Sequence, residues 1–348
     1  MVVIPGDGVL VGALHALPGF KTGSTSRPVS EKASISATFN MEGIDGMQGF
    51  KHSPGRIILI VLSTLFFANT LFFNYLSAAG QGLGGVFLNT TGGISNKYQH
   101  QIVPAGWTFS IWGAIYLWQA IWIVYAWTTV CRKSASGYLY VSPGHMPPAM
   151  YGVWILNMAL NVSWLILWDR EMIIVSLCVI ALMPFTLYIC IGISIWGVNK
   201  SSDYLSKSGN AVDIWLTRFT VQNGMAFYAT WTTLATLLNF TSVLIYKANV
   251  EDSIASTISL SIVTAEIVVY FTLDMTVLDR FTRYLFSPYI VCIVALSGVH
   301  SRNWNPELRN SIFNAVLIGV ACVCCLAKII VMLYRHLTKP FNAIAITV

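Results

Sequence analysis

The chain predicts an all-α, polytopic membrane bundle of about eight transmembrane helices, on two compositional features and one pattern. Hydrophobic residues fill 55% of the 348 positions and charged residues only 10%, against roughly 25% charged in a soluble domain. The mean hydropathy is +0.66. Apolar residues are gathered into runs of about the 20 residues that a helix needs to cross a hydrocarbon core, at roughly 56–79, 104–130, 149–168, 171–197, 214–246, 254–276, 284–300 and 310–335. In lipid every backbone amide must find its partner inside the structure, and runs this long and continuous do not alternate as barrel strands do. Helices are the remaining solution.

Residues 1–55 precede the first run. They are rich in Gly, Ser, Pro and Thr, with Pro5, Asp7, Pro18 and Pro28, and carry no helical or strand period. A disordered cytosolic tail is expected. The cluster Gly80, Gly82, Gly84 and Gly85 follows a membrane helix and no strand, so it reads as a loop and not as a phosphate cradle. The same connection holds Asn89-Thr90-Thr91, the one glycosylation sequon expected outside the membrane on the outer side. Asn161 and Asn239 also begin sequons but lie in spans, and Asn199 lies on the inner side.

The second span holds five of the twelve tryptophans, Trp107, Trp112, Trp118, Trp122 and Trp127. At about 1.5 Å per residue, Trp107 and Trp127 sit about 30 Å apart and suit the two interfaces. Trp118 and Trp122 fall near the middle, where an aromatic belt has no role. At about 100° per residue the aromatics form two stripes, Trp107, Trp118, Trp122 and Tyr125 opposite Phe109, Trp112, Tyr116 and Trp127. Which stripe turns to a cavity is left open by the spacing.

On the third span Trp154, Asn157, Asn161, Trp164 and Trp168 recur at three and four residues, as do Gly224, Tyr228, Trp231, Ala235 and Asn239 on the fifth. Carboxamides are costly toward lipid, so both faces point into the bundle. Packing alone explains the Asn and Gly residues; a ligand cavity explains the large indoles better. Between these spans the fourth contains Pro184, which removes a backbone bond and predicts a kink near Met183. The sixth span places Glu266, Tyr270 and Asp274 on one face, and Lys328 lies inside the eighth. Ionisable groups in a membrane are functional candidates by default. They make a secondary transporter or ion-coupled carrier the competing reading. Residues 337–348 read as a cytosolic C-terminal tail.

Lys and Arg set the orientation. With the N-terminus inside, Lys21, Arg27, Lys32, Lys51, Arg56, Arg132, Lys133, Lys200, Lys207, Arg218, Arg280, Arg283, Arg335 and Lys339 gather on the inner side, and only Lys97, Arg170, Lys247, Arg302 and Arg309 on the outer. Both termini are therefore expected in the cytosol. This asymmetry accounts for the net charge of +6 without a nucleic-acid partner. The seven cysteines all lie in spans or at an inner helix end, which argues against a disulfide framework. No span carries a histidine pair able to ligate haem iron. HExxH, GxSxG and P-loop patterns are missing, and the chain reads as no enzyme, with no metal and no required cofactor.

Three stretches resemble a family. Pro104-Ala105-Gly106-Trp107-Thr108-Phe109-Ser110-Ile111-Trp112-Gly113 resembles the Pro-Pro-Gly-Trp-x-Phe start of the second helix in the TspO/MBR family of translocator and tryptophan-rich sensory proteins. Leu160-Asn161-Val162-Ser163-Trp164 is similar to its third-helix Leu-Asn-x-x-Trp. The run from Trp231 through Ala235 to Asn239 is similar to its fifth-helix Trp-x-x-x-Ala-x-x-x-Asn. Phe109 to Trp112 is one residue shorter than the family's spacing, and Ala105 replaces a proline. These motifs cover about 56–246, leaving 247–336 as three additional helices.

The resemblance implies a five-helix unit with an aromatic, polar pocket for flat hydrophobic molecules, porphyrin or sterol-like. Trp107, Asn161, Trp164, Trp231, Ala235 and Asn239 would line or support it, with Trp118, Asn157 and Tyr228 on the same faces. The implied partners are membrane lipid and a hydrophobic small molecule, and a homodimer is compatible with the pattern.

Overall fold

The computed structural model describes residues 50–80 and 85–338. The tails expected at 1–55 and 337–348 fall outside the described residues except at 50–55 and 337–338, as do Gly82 and Gly84. The described residues belong to one compact unit.

Helices occupy all eight expected positions. In chain order they are α1 (Pro54–Ala79), a short α2 (Thr91–Lys97), α3 (Ile111–Cys131, entered through a tight turn at Gly106–Ser110), α4 (Pro148–Asp169), α5 (Ile173–Lys207), α6 (Ala211–Leu216), α7 (Asn223–Tyr246), α8 (Asp252–Met275), a single turn α9 (Asp279–Thr282), α10 (Ser287–Asn303) and α11 (Arg309–Thr338). Among the described residues six helices are long and apolar enough to cross a membrane, those containing α1, α3, α4, α5, α8 and α11. The chain is thus an integral, multi-pass membrane protein with an all-α fold. The two other long helices have physical reasons to differ. α10 is only 17 residues long. α7 packs against α5, α10, α8 and α3, so much of its surface meets protein instead of lipid, and it tolerates Thr230, Thr232, Thr233, Thr236 and Thr241. Each of these hydroxyls donates back to a carbonyl of its own helix.

Three features depart from the expected spans. α5 continues ten residues beyond 197, to Lys207, and runs through Pro184 as one helix. Beside that proline, Asn157 of α4 donates to the Met183 carbonyl at 2.9 Å and to Thr186 Oγ1 at 2.8 Å. The fifth span is interrupted by a π-helical turn at Thr217–Gln222. Such a turn carries one extra residue and turns carbonyls outward. The Phe219 carbonyl accepts from Trp118 Nε1 at 3.1 Å, and the Gly224 carbonyl, one turn on, accepts from Gln119 Nε2 at 3.0 Å. Finally, a two-stranded hairpin pairs β1 (Lys133–Ser134) with β2 (Gly137–Tyr138) in antiparallel register, Lys133 opposite Tyr138. It lies at the end of the bundle opposite α2, where Arg132 grips the buried Asp213 with two bonds of 2.7 Å.

Candidate functional site

The two predicted aromatic faces meet at the α2 end of the bundle. A cavity there is lined by Trp164 and Trp168 of α4, Trp231, Ala235, Leu238, Asn239 and Ser242 of α7, and Phe109 and Trp112 at the start of α3. Trp164 and Trp168 stack with centroids 5.9 Å apart and planes 17° apart, and Trp112 meets Trp231 edge-on at 6.2 Å. Trp164 Nε1 donates to Asn239 Oδ1 at 3.4 Å, and Asn239 Nδ2 donates to the Ala235 carbonyl one turn back at 3.0 Å. Trp231 is 2% exposed, and its indole N–H has no partner among the described residues. An unpaired buried donor is costly, and here it stands in the wall of a cavity.

Of the residues singled out from sequence, Trp164, Trp231, Ala235 and Asn239 come together at this cavity. Asn161 and Tyr228 lie deeper, outside its lining. Asn161 accepts from Asn74 of α1 at 2.9 Å and donates to Tyr228 at 2.8 Å, a ladder that ties α1, α4 and α7. Asn157 bonds α5 as described. Trp118 packs over Gly224, where a Cβ would stand 2.8 Å from its ring, so that contact is close packing of α3 on α7. Trp107 is 53% exposed and donates to Ser301 of α10 at 3.0 Å. The stripe of α3 that reaches the cavity is therefore the one with Phe109 and Trp112. Trp107 and Trp118, expected at the pocket, stand on the other side, because α7 and α10 take up that face.

The remaining wall was not foreseen. Thr91 and Ser95 of α2, with Tyr98, His100, Val103 and Pro104 of the connection to α3, cover the cavity as a lid. Loop residues have no period, so only their position between two aromatic helices could have suggested it. His100 is buried, and burial pushes its imidazole down to about 3, with the Arg302 charge acting in the same direction; it lines the cavity as a neutral ring.

The lid is fastened from two sides. From the α4–α5 turn, the Asp169 carboxylate accepts the Leu88 and Asn89 backbone N–H groups at 3.0 and 2.8 Å. Glu171 accepts from Lys97 at 2.7 Å and from Tyr98 at 2.9 Å. From the last helices, Asp252 of α8 accepts the Gln101 N–H at 3.1 Å, Arg302 of α10 donates to Gln99 at 2.9 Å, and Asn310 of α11 donates to Gln101 at 2.8 Å. The three helices beyond residue 246 thus hold the cover of the cavity.

Hydrogen bonds from Lys97 and then Tyr98 hold Glu171 below the usual carboxylate range. Tyr98, pushed up to about 12 by burial and next by Glu171, keeps its proton. A lowered carboxyl gives a latch that is complete above the ordinary Glu range and lost as the pH falls through the lowered value. The protection factors of residues 91–103, hydrogen-exchange rates corrected for the intrinsic slowing of exchange in acid, are expected to fall on acidification in the wild type and to be low without this pH dependence in Glu171→Gln. The pair is solvent-exposed, so the effect is small. Equal protection in both proteins over the whole range would exclude the latch.

The cavity volume is about 40 Å³, room for water but far below the ~300 Å³ at which ligand pockets begin. A flat ring system fits only after the lid or the indoles move.

Residues 60–333 match the model of a protein family described as TSPO-like protein. The match extends beyond the five spans covered by the sequence motifs and takes in α8, α10 and most of α11. No curated protein and no solved structure matches the chain.

Proposed function

The chain belongs to the TSPO-like family, and from that premise we propose that it binds a flat, apolar ligand with a polar edge, of the porphyrin or sterol class, beneath the lid. What supports the reading is one observation: the unpartnered indole N–H of Trp231 in a cavity wall that also holds Trp112, Trp164 and Trp168. Indole faces stack on flat rings, and the free N–H offers a bond to a carbonyl or carboxylate acceptor. Sensing or delivery of the ligand follows from lid movement; catalysis and a resident cofactor are no part of the proposal.

The test is a titration of purified protein, following tryptophan fluorescence, with protoporphyrin IX, cholesterol and a polar solute such as glucose. Saturable quenching by one flat hydrophobe and none by glucose supports the proposal. Uptake of a polar solute into proteoliposomes without any such quenching would replace it by the carrier reading.

We also propose that both termini face the cytosol, following the Lys and Arg bias. Asn89 is exposed at the α2 end. In a glycosylating cell whose secretory pathway receives the chain, glycan is expected on Asn89 alone. Peptide mapping that finds it on Asn199 would reverse the orientation.

A further inference from the structure

Glu266 lies about 21 Å along α8 from Asp252 and about 14 Å from Met275 at 1.5 Å per residue, deep within a membrane-crossing helix. Among the described residues it has no hydrogen bond and no ion pair. The charges near that end of the helices are already used: Lys328 is paired with Asp274, and Arg335 and Arg283 with Asp279.

Polar groups of three helices lie near Glu266. Tyr270 is one turn along α8, and its buried hydroxyl has no partner among the described residues. Tyr188 of α5 and Cys292 of α10 lie within electrostatic reach of Glu266. Tyr188 is bonded to Thr233 of α7 at 2.7 Å. The side is open to lipid: Tyr188 is 48% exposed, and Val268 and Val269, just beyond Glu266, are more exposed still.

A carboxyl in such a place is either neutral or paired, since a bare ion in hydrocarbon is expensive. Among the described residues no cation is bonded to Glu266. Any partner must come sideways from the bilayer, bringing an apolar body and a positive head. We propose that Glu266, Tyr270 and Tyr188 form a second site, separate from the lidded cavity, which takes the ammonium group of a membrane-partitioned amine. Glu266 would accept one N–H bond as a carboxylate and the exposed Tyr188 hydroxyl oxygen a second, with the buried Tyr270 hydroxyl taking a third once its side chain turns toward the ammonium. When the site is empty the carboxyl keeps its proton.

A hydrophobic carbodiimide tests this, because it adds to the protonated carboxyl to give an N-acylurea without a leaving group, and does not react with a carboxylate held by an ammonium ion. In proteoliposomes, dicyclohexylcarbodiimide is expected to modify Glu266, as read by peptide mass, and to leave Asp274 untouched. Dodecylamine should suppress the modification at least tenfold and leave Glu266 as the free acid, without the dodecylamide and dicyclohexylurea that aminolysis of the activated carboxyl would give; dodecanol should not suppress it. Dodecyltrimethylammonium, which charges the vesicle surface but has no N–H donors, should protect less than the amine. Protection should weaken in the Tyr188→Phe and Tyr270→Phe double variant. Protoporphyrin IX should have no effect, which separates this site from the cavity. Failure to label Glu266, equal protection by dodecanol, or equal protection by the quaternary ion would each overturn the proposal.

Discussion

Replacing Lys328 by Met is expected to destabilise the bundle by about 3–5 kcal/mol, the cost of leaving one member of a buried ion pair without the other. Lys328 and Asp274 are 2% and 0% exposed and 2.8 Å apart. Asp274 also accepts from Thr282 at 2.6 Å and from Tyr289 of α10 at 2.6 Å, while Lys328 donates a second bond to the Thr282 carbonyl at 3.0 Å. One carboxylate thereby joins α8, α9, α10 and α11, and few of its lone pairs are left over. This degree of satisfaction suits a structural tie and gives a moving coupling ion little to bind. The double variant Asp274→Asn with Lys328→Met leaves no stranded charge and is expected to lose much less than the two single variants added together. Unfolding in detergent, followed by circular dichroism, measures all three. Additive and small losses would show that the pair carries no such coupling.

The second large effect concerns the cavity. Trp231→Leu removes an indole that meets Trp112 edge-on and lines the wall beside Asn239. Binding of a flat hydrophobe is expected to weaken by about 1 kcal/mol or more, about fivefold in Kd. Trp231→Phe keeps one aromatic ring but removes the N–H donor, so its loss should be smaller for a ligand without an acceptor edge and clear for one with it. Tryptophan is a large core side chain and truncation has its own cost. Trp154→Leu, a fully buried indole that contacts Trp122 and Phe67 away from the cavity, is the matched control. It should lower stability and leave Kd unchanged. If Trp231→Leu and Trp154→Leu change Kd alike, the binding site is elsewhere.

The spans were legible because an apolar run of about 20 residues has few alternatives in lipid. The convergence of Trp164 with Trp231 and Asn239 was legible for a related reason, since polar groups at helical spacing must turn inward. Other parts left no such trace. The π-helical turn at Thr217–Gln222 adds one residue, which changes neither hydropathy nor length enough to notice, although Trp118 and Gln119 of α3 are arranged around it and its flank. The choice between the two stripes of α3 depended on where α10 sits, and helix order in a bundle is not written in one helix's period. Asn161 is on the expected face but bonds Asn74, in the first span, which the pattern on the third and fifth spans did not include. The lid is short-range structure without periodicity. Its long-range fastenings to Asp252, Arg302 and Asn310 come from helices about 150–200 residues away. They give the last three helices a role that composition could not suggest.

The central claim is that the flat ligand lies between α3, α4 and α7 under the lid, and site-resolved photolabelling tests it most directly. Irradiation of the protein with a photoreactive porphyrin, followed by peptide mass mapping, is expected to place adducts on the segments holding His100, Trp112, Trp164 and Trp231, and excess protoporphyrin IX is expected to remove them. Adducts confined to lipid-facing positions such as Val268, Val269 and Leu326, unchanged by that excess, would contradict it.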